Sequence, residues 1–464
     1  MTNQSQTGQP ECPEPSERDF AAQVVKRLRD AGFQALWAGG CVRDELLGRT
    51  PKDYDVATDA PPETVRKLFC RTVAVGMSFG VVEVIGPRTS AANLVVQVAT
   101  FRTDGTYSDG RRPDAVTFGS PQEDAQRRDF TINGMFFDPL ENRVIDYVGG
   151  QADLDARVLR AIGDPMQRFV EDKLRLLRAV RIASCFDLTL EPGTEAAIQV
   201  LAGQIVVVSA ERIADELRKL LVHPRRARGV RLLCETGLVE ALMPELLEMK
   251  GLPQGPPDAP TGDLWDHVLR VLDLLGDEVS APLAFAGLLH DVGKRRVMGR
   301  TPDRYTFYNH EDVSCRIAAA IGARLKLSNA ERERIEWLVK KHQYLADTRH
   351  MTTSKLKTML AHPGIRELLA LHRADALACD RSIDHVAYCE QLLEEWSEED
   401  LNPPPLLTGH DLARRGLEPG PVFKLLLDAV REAQLDGKIQ TPKEAWELVE
   451  RMMKERGAEG QSLN

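Results

Sequence analysis

Two aspartates separated by one residue, Asp53 and Asp55 in KDYDVAT, are the first positions in this sequence whose spacing can do chemistry. In an extended segment, residues two apart point to the same side, so both carboxylates stand together while Val56 begins a buried stretch. Such a pair suits Mg²⁺, a hard cation that takes one or two carboxylate oxygens and completes its shell with a substrate's phosphates. Upstream, Gly39 and Gly40 lie between an apolar strand-like run and the helix-like VRDELLG. Glycines there let backbone N–H groups approach a triphosphate, and the following helix N-terminus favours negative charge. A glycine pair alone is ordinarily a plain turn, and an isolated D-x-D a solvated strand edge. Their combination, with Arg43 and Lys52 close by, reads as a phosphoryl-transfer site. A second constellation is His290-Asp291 in AGLLHDVGK, accompanied by His267, His310, His342 and Asp375, each in or beside a helical pattern. Imidazoles and carboxylates arriving from separate helices suit a divalent transition metal, whereas a lone His-Asp pair would cap a helix or sit satisfied in a core.

The elements that must position these groups follow from periodicity. Residues 19–31 read as a helix, and the runs ALWAGG, YDVAT, GVVEVIG and LVVQVATF read as short strands between turns, which predicts a compact α/β or α+β domain over residues 21–150. From about residue 153 the apolar spacing becomes helical in KLRLLRAVRIA, EAAIQVLA and ERIADELRKLL, giving a helical neck and body over 151–248. The Pro- and Gly-rich GLPQGPPDAPTG marks a linker at 249–263, a further helical domain spans 264–396, and a helical tail occupies 397–464. Residues 1–20 are polar, without the basic start or apolar core of a signal peptide, and are expected to be a disordered tail. No run reaches the roughly 18 apolar residues of a membrane span. Without a signal or a span a cytoplasmic protein is expected, and the eight cysteines, which form no C-x-x-C pair, are expected to be reduced, partly buried small residues. Net charge is −10, yet basic residues concentrate between Arg157 and Arg181 and between Arg212 and Arg231, a pattern compatible with RNA.

The glycine turn, the D-x-D and the segments after them resemble the class II tRNA nucleotidyltransferases and bacterial poly(A) polymerases, members of the polymerase-beta-like superfamily. ATFRTDGTYSDGRRPDAVTFG is similar to that family's flexible loop, and QRRDFTINGMFFDP to its ribose-contacting motif, which implies that Arg128, Asp129 and Asn133 bind the nucleotide. DYVGGQADL, around Asp146 and Gly149, resembles the hinge between head and neck. VEDKLRLLRAVRIA carries the family's E-D-x-x-R as Glu171, Asp172 and Arg175, with Lys173 where proline is common; the resemblance adds Arg178 to the nucleotide site. On a helix, residues three apart share a face, so Asp172 and Arg175 can reach one planar base together. A carboxylate acceptor beside a guanidinium donor matches the base edges of cytosine and adenine and refuses uracil and guanine. In SAERIADELRKLL, Arg212 and Glu216 are implied to brace the neck. One departure is Gln97, where the family carries an acidic residue.

The resemblance implies an α+β protein: a nucleotidyltransferase head with a small mixed sheet, then a helical body, a helical HD domain and a helical tail. The implied reaction is attack by a tRNA 3′-hydroxyl on the α-phosphorus of CTP or ATP, with Mg²⁺ on Asp53 and Asp55, building CCA without a nucleic-acid template. Partners would be tRNA, CTP and ATP, not membrane or DNA. The second constellation looks like the HD phosphohydrolases, which implies metal binding by His267, His290, Asp291 and Asp375, with His310 and His342 at a second metal or a phosphate. Poly(A) or A-only addition would use the same catalytic residues. A third reading is an HD phosphohydrolase whose transferase domain only binds RNA.

Overall fold

The computed structural model describes residues 16–76, 80–89, 93–105, 116–254 and 262–461. Two compact units divide the chain, the first formed by Met1–Leu220 with Arg228–Leu242 and the second by Leu221–Ala227 with Met243–Asn464.

The first unit opens with α1 (Glu17–Asp30), so residues 17–20, expected in the tail, are helical. The reason is local: Ser16 and Asp19 form a reciprocal capping box, and Phe20, Val24 and Leu28 bury one face. Seven strands then form one mixed sheet: β1 (Ala35–Ala38), β2 (Asp55–Thr58), β3 (Thr72–Gly76), β4 (Val81–Arg88), β5 (Asn93–Thr100), β8 (Phe136–Asp138) and β9 (Arg143–Ile145), in the order β3-β4-β5-β2-β1-β8-β9. A separate hairpin, β6 (Arg102–Asp104) with β7 (Val116–Phe118), flanks residues 106–115, so the middle of the expected flexible loop lies outside the described residues. Along β5, Leu94, Val96 and Val98 are buried while Val95 and Gln97 are exposed, the period-two pattern of a sheet with one covered face. Leu36, Ala38, Ala57, Phe101, Ala125 and Phe136 pack together beneath it. Helices α2 (Gly40–Leu46), α3 (Pro62–Leu68) and α4 (Pro121–Gln126) connect the strands.

After the sheet the chain is mostly helical, with Val158–Leu159 and Thr189–Leu190 pairing in parallel: α5 (Gly150–Asp155), α6 (Pro165–Glu171), α7 (Leu174–Phe186), α8 (Pro192–Leu201), α9 (Ala210–Leu221), α10 (Arg226–Glu235) and α11 (Leu238–Leu242), of which Leu221 and Arg226–Ala227 fall in the second unit. The chain breaks between α6 and α7, where a continuous helix was expected. Asp172 is extended (φ −146°, ψ 105°) and its Oδ1 accepts the Leu174 N–H at 3.0 Å. A short carboxylate side chain competes with the backbone for that N–H and starts a new helix instead of continuing the old one.

The second unit contains α12 (Leu264–Leu274), α13 (Ala281–Leu289), α14 (His310–Arg324), α15 (Asn329–Lys341), α16 (Thr353–Leu360), α17 (Ile365–Ala378) and α18 (Asp384–Glu395), followed by four helices of the tail, Glu398–Leu401, Gly409–Arg414, Pro421–Leu435 and Pro442–Gln461. Of the expected linker, residues 255–261 lie outside the described residues; its flanks, Pro253–Gln254 and Gly262–Asp263, pair as an antiparallel ladder. Among the described residues, no helix is long and apolar enough to cross a membrane.

Candidate active site and metal centre

The glycine turn and the paired carboxylates meet where β1 and β2 run side by side, with Ala38 opposite Asp55. Gly39 has φ 80°, a left-handed conformation that only glycine adopts without strain, and α2 starts immediately after it. A Cβ at Gly39 would lie 3.0 Å from Arg128 Nη1 and 3.9 Å from Asp55 Oδ2, so a side chain there would crowd both charged groups. Asp55 is half-buried and Asp53, just before the strand, is exposed. Burial raises the Asp55 carboxyl from its ordinary 3.8 to about 6, the Asp53 charge adds to the rise, and Arg128 opposes it. Two crowded carboxylates beside a backbone turn are the donor set that a divalent cation relieves, and a cation fits here. Gln97 lies in register with Asp55 on β5, so the nearest cross-strand neighbour is a neutral amide, and Glu83 follows one strand further out.

A chain of ion pairs leads away from this turn. Asp124, on α4, accepts from Arg127 (2.6 and 2.9 Å) and from Arg128 (2.9 and 3.1 Å). Burial pushes its proton affinity up, and the two guanidinium groups bring it below the ordinary carboxylate value. Asp129 accepts from Arg178 at 2.7 and 3.0 Å and from Asn133 at 3.1 Å. Its carboxyl is held at about 2, with Arg178 overcoming burial. Arg43 donates to Asn133 Oδ1 at 2.7 Å and stacks on Phe186 at 3.8 Å. Gly39, Gly40, Arg43, Arg128, Asp129, Asn133 and Arg178 are therefore joined into one network around the turn, and Glu216 extends it by pairing with Arg181 at 2.5 Å and lying 3.7 Å from Arg178. Asp124 was not singled out from the sequence. Its signal is the spacing in EDAQRRD, which places two arginines three and four residues after a carboxylate.

Asp172 and Arg175 do not share a helix face, because of the break at Asp172. Asp172 binds Arg212 at 2.7 and 3.2 Å, which ties α9 to the break. Arg175 pairs with Glu171 and donates to the Arg168 carbonyl at 2.9 Å. Beside them is a cavity of 240 Å³ lined by Thr103, Gly105, Glu123, Gln126, Arg127, Arg168 and Glu171.

The second unit gathers all six residues of the second constellation. His267 Nε2 lies 3.3 Å from His290 Nε2 and 3.1 Å from Asp375 Oδ1. Asp291 sits between two groups, with His290 Nε2 3.2 Å from its Oδ2 and His310 Nε2 3.0 Å and His342 Nε2 3.5 Å from its Oδ1. Three imidazoles place Nδ1 against a backbone carbonyl, His290 on Gly287 at 2.9 Å, His310 on Phe307 at 2.8 Å and His342 on Val339 at 2.7 Å. A proton fixed at Nδ1 leaves Nε2 as a lone pair aimed inward, the tautomer that metal ligation requires. Asp291 Oδ1 accepts no aligned hydrogen bond among the described residues despite its near neighbours. Burial pushes the His267 imidazolium down, but Asp375 and the Cys379 thiol, 3.6 Å from its Nδ1, bring it to about 9. Imidazoles converging on a buried carboxylate fit a divalent cation, which would take the place of the protons that His267 and His310 hold there. Lys294 Nζ, 2.6 Å from Asp291 Oδ2, adds a positive charge at the rim.

The domains that carry these residues match known families. The poly A polymerase head domain matches residues 35–160, the probable RNA and SrmB-binding site of polymerase A matches 187–250, and the HD domain matches 264–380. The CCA-adding enzyme of Levilactobacillus brevis is 31% identical over 440 residues, 93% of this chain and 97% of that protein. The Bacillus stearothermophilus CCA-adding enzyme, solved in complex with CTP, superposes with a TM-score of 0.71 at 26% identity, covering 96% of this chain and 100% of that one. The Thermotoga maritima CCA-adding enzyme complexed with tRNA shares the fold, with a TM-score of 0.57 at 20% identity over 96% of this chain and 97% of that one. A nucleotidyltransferase of this kind works with a divalent metal, and the near-full-length match shows that the chain belongs to the CCA-adding enzymes.

Proposed function

We propose that this enzyme completes tRNA 3′ ends with C, C and A from CTP and ATP in the cytoplasm, and that Asp53 and Asp55 hold the Mg²⁺ it uses. When bound there, Mg²⁺ supplies the Lewis acidity that favours a nucleophilic 3′-oxygen and offsets charge on the departing pyrophosphate. Asp55 must lose its proton to serve as a ligand. The Gly39 N–H donates to the Met135 carbonyl at 3.3 Å, so the triphosphate would meet the N–H groups of the first turn of α2, which starts right after it. Arg128, facing that turn, would meet the phosphates rather than the ribose. Asp129, Asn133 and Arg43 present a fixed set of donors and acceptors suited to ribose hydroxyls.

For base selection, Asp172 can stay on Arg212. A carboxylate has about four lone-pair sites, and Arg212 and the Leu174 N–H occupy three, leaving one for an exocyclic amino group. Arg175 has to leave Glu171 to donate to the ring nitrogen. One pair then accepts both cytosine and adenine, with no nucleic-acid template.

The observation that carries this reading is the half-buried Asp55 carboxyl beside the Gly39 turn and Arg128, its proton affinity raised by burial and then by the Asp53 charge. Asp53→Ala is expected to lower nucleotide addition by at least about three orders of magnitude, the several kcal/mol a catalytic metal supplies. Addition retained by a variant with an unchanged melting profile would refute the metal assignment.

A second activity is favoured by the converging imidazoles of the HD domain: metal-dependent hydrolysis of a phosphoester, such as a 2′,3′-cyclic phosphate at an RNA end. His267, His290, Asp291 and Asp375 would hold the metal, with His310 and His342 at a second cation or a substrate phosphate. It is tested by phosphatase assays of wild type and His290→Ala with each divalent metal; equal activity in both would exclude it.

A further inference from the structure

Asp124 touches no solvent-facing part of the proposed site, yet its partners are the groups that shape it. It is 1% exposed, and a buried carboxylate is tolerated only when its oxygens are fully used. They are: besides both guanidinium groups, the Arg102 backbone N–H reaches it at 3.3 Å, at the base of the hairpin flanking the loop. Arg128 spends Nε and Nη2 on Asp124, and its guanidinium lies 5.2 Å from the Phe136 ring. With one edge and one face engaged, and Nη1 donating to the Asn133 carbonyl at 3.5 Å, the guanidinium has a single orientation, in which Nη1 also faces the Gly39 turn. The other fork holds Arg127, whose carbonyl accepts from Arg168 at 3.0 Å and from Arg175 at 3.4 Å. One carboxylate against two arginines also leaves net positive charge where a triphosphate would arrive.

We infer that Asp124 is a positioning residue for nucleotidyl transfer, aiming Arg128 at the triphosphate of the incoming nucleotide. The inference rests on the reading that the triphosphate binds at the Gly39 turn. It goes further by assigning to a buried side chain that meets no substrate the orientation of the group that does.

The test is calorimetric titration of the full chain with CTP and with CMP, in Mg²⁺ and without tRNA. Losing a charge-assisted contact to phosphate costs about tenfold or more. Asp124→Asn is therefore expected to weaken CTP about tenfold while leaving CMP unchanged, with folding checked by thermal melting. Arg128→Ala should reduce the CTP-to-CMP preference similarly, and adding Asp124→Asn to it should change the preference less than about twofold, because residues acting through one contact are not additive. Equal weakening of CTP and CMP, or effects that multiply in the double variant, would overturn the inference and leave Asp124 a purely structural residue. Asp124→Glu keeps the charge but moves the fork by one methylene; its CTP-to-CMP ratio should also fall, and an unchanged ratio would overturn the inference even if Asp124→Asn does not fold. A wild-type protein with no preference for CTP over CMP would instead sink the reading of the Gly39 turn.

Discussion

The two aspartates at the ends of the network are tuned in opposite directions, and each direction has a measurable consequence. Asp55 holds its proton to about pH 6, first through burial and then through Asp53. A proton on Asp55 competes with the cation, so the apparent Mg²⁺ affinity of nucleotide addition should fall about tenfold per pH unit below about 6 and level off above about 7. Mg²⁺ titrations of the addition rate at several pH values check this, and a flat dependence down to pH 5 would contradict it. Because this carboxyl is raised in the folded state, its own contribution favours the metal-free fold as pH falls through 6 and is lost as pH rises through it. Asp129 is the reverse case. Held at about 2 by Arg178 against an ordinary 3.8, it contributes stability that is present above about pH 4 and lost as pH falls through about 2. At pH 7, Asp129→Asn should cost about 2 kcal/mol in denaturant unfolding; a cost near zero would contradict the pair's contribution. The meeting of the glycine turn with the D-x-D was legible because the two occur together within seventeen residues, each weak alone. Asp124 was not, because a carboxylate in PQEDAQRRD reads equally well as the solvated face of a short helix.

At the scale of elements, alternation of buried and exposed residues in β5 and β4 made the sheet readable, and Gln97 falls on its open face as the period-two reading requires. The break between α6 and α7 could not be read, because the apolar spacing of VEDKLRLLRAVRIA runs straight through it and only the Asp172 side chain interrupts the backbone. The break permits a specific substitution. Lys173 has φ −66°, the value a proline ring imposes, and Asp172 before it is in the extended region that precedes prolines. At a helix start the N–H has no partner within the helix to lose. Lys173→Pro should therefore stabilise the protein by about 0.4–1 kcal/mol through the unfolded chain, with nucleotide addition unchanged. Thermal or denaturant unfolding measures it, and a loss of stability would show that the helix break is not the resting conformation. The middle of the loop between β6 and β7 lies outside the described residues.

For the molecule as a whole, each unit carries its own cluster of candidate residues, and the change from strand to helix periodicity was enough to separate a mixed sheet domain from a mostly helical remainder. A net charge of −10 was a poor guide to partners, because the arginines that matter are gathered around one turn and one helix break. The second unit's metal centre should be separable from nucleotide addition: His290→Ala is expected to lose bound transition metal by elemental analysis while still extending tRNA in Mg²⁺. Loss of both would contradict that separation. CCA addition is decided by an assay of purified protein with a tRNA lacking its 3′ CCA, CTP and ATP being supplied separately and together and the products resolved to the nucleotide. CTP alone should add two residues, ATP alone none, and both together three followed by a stop. Long A tracts, or no incorporation at all in the presence of Mg²⁺, would contradict it.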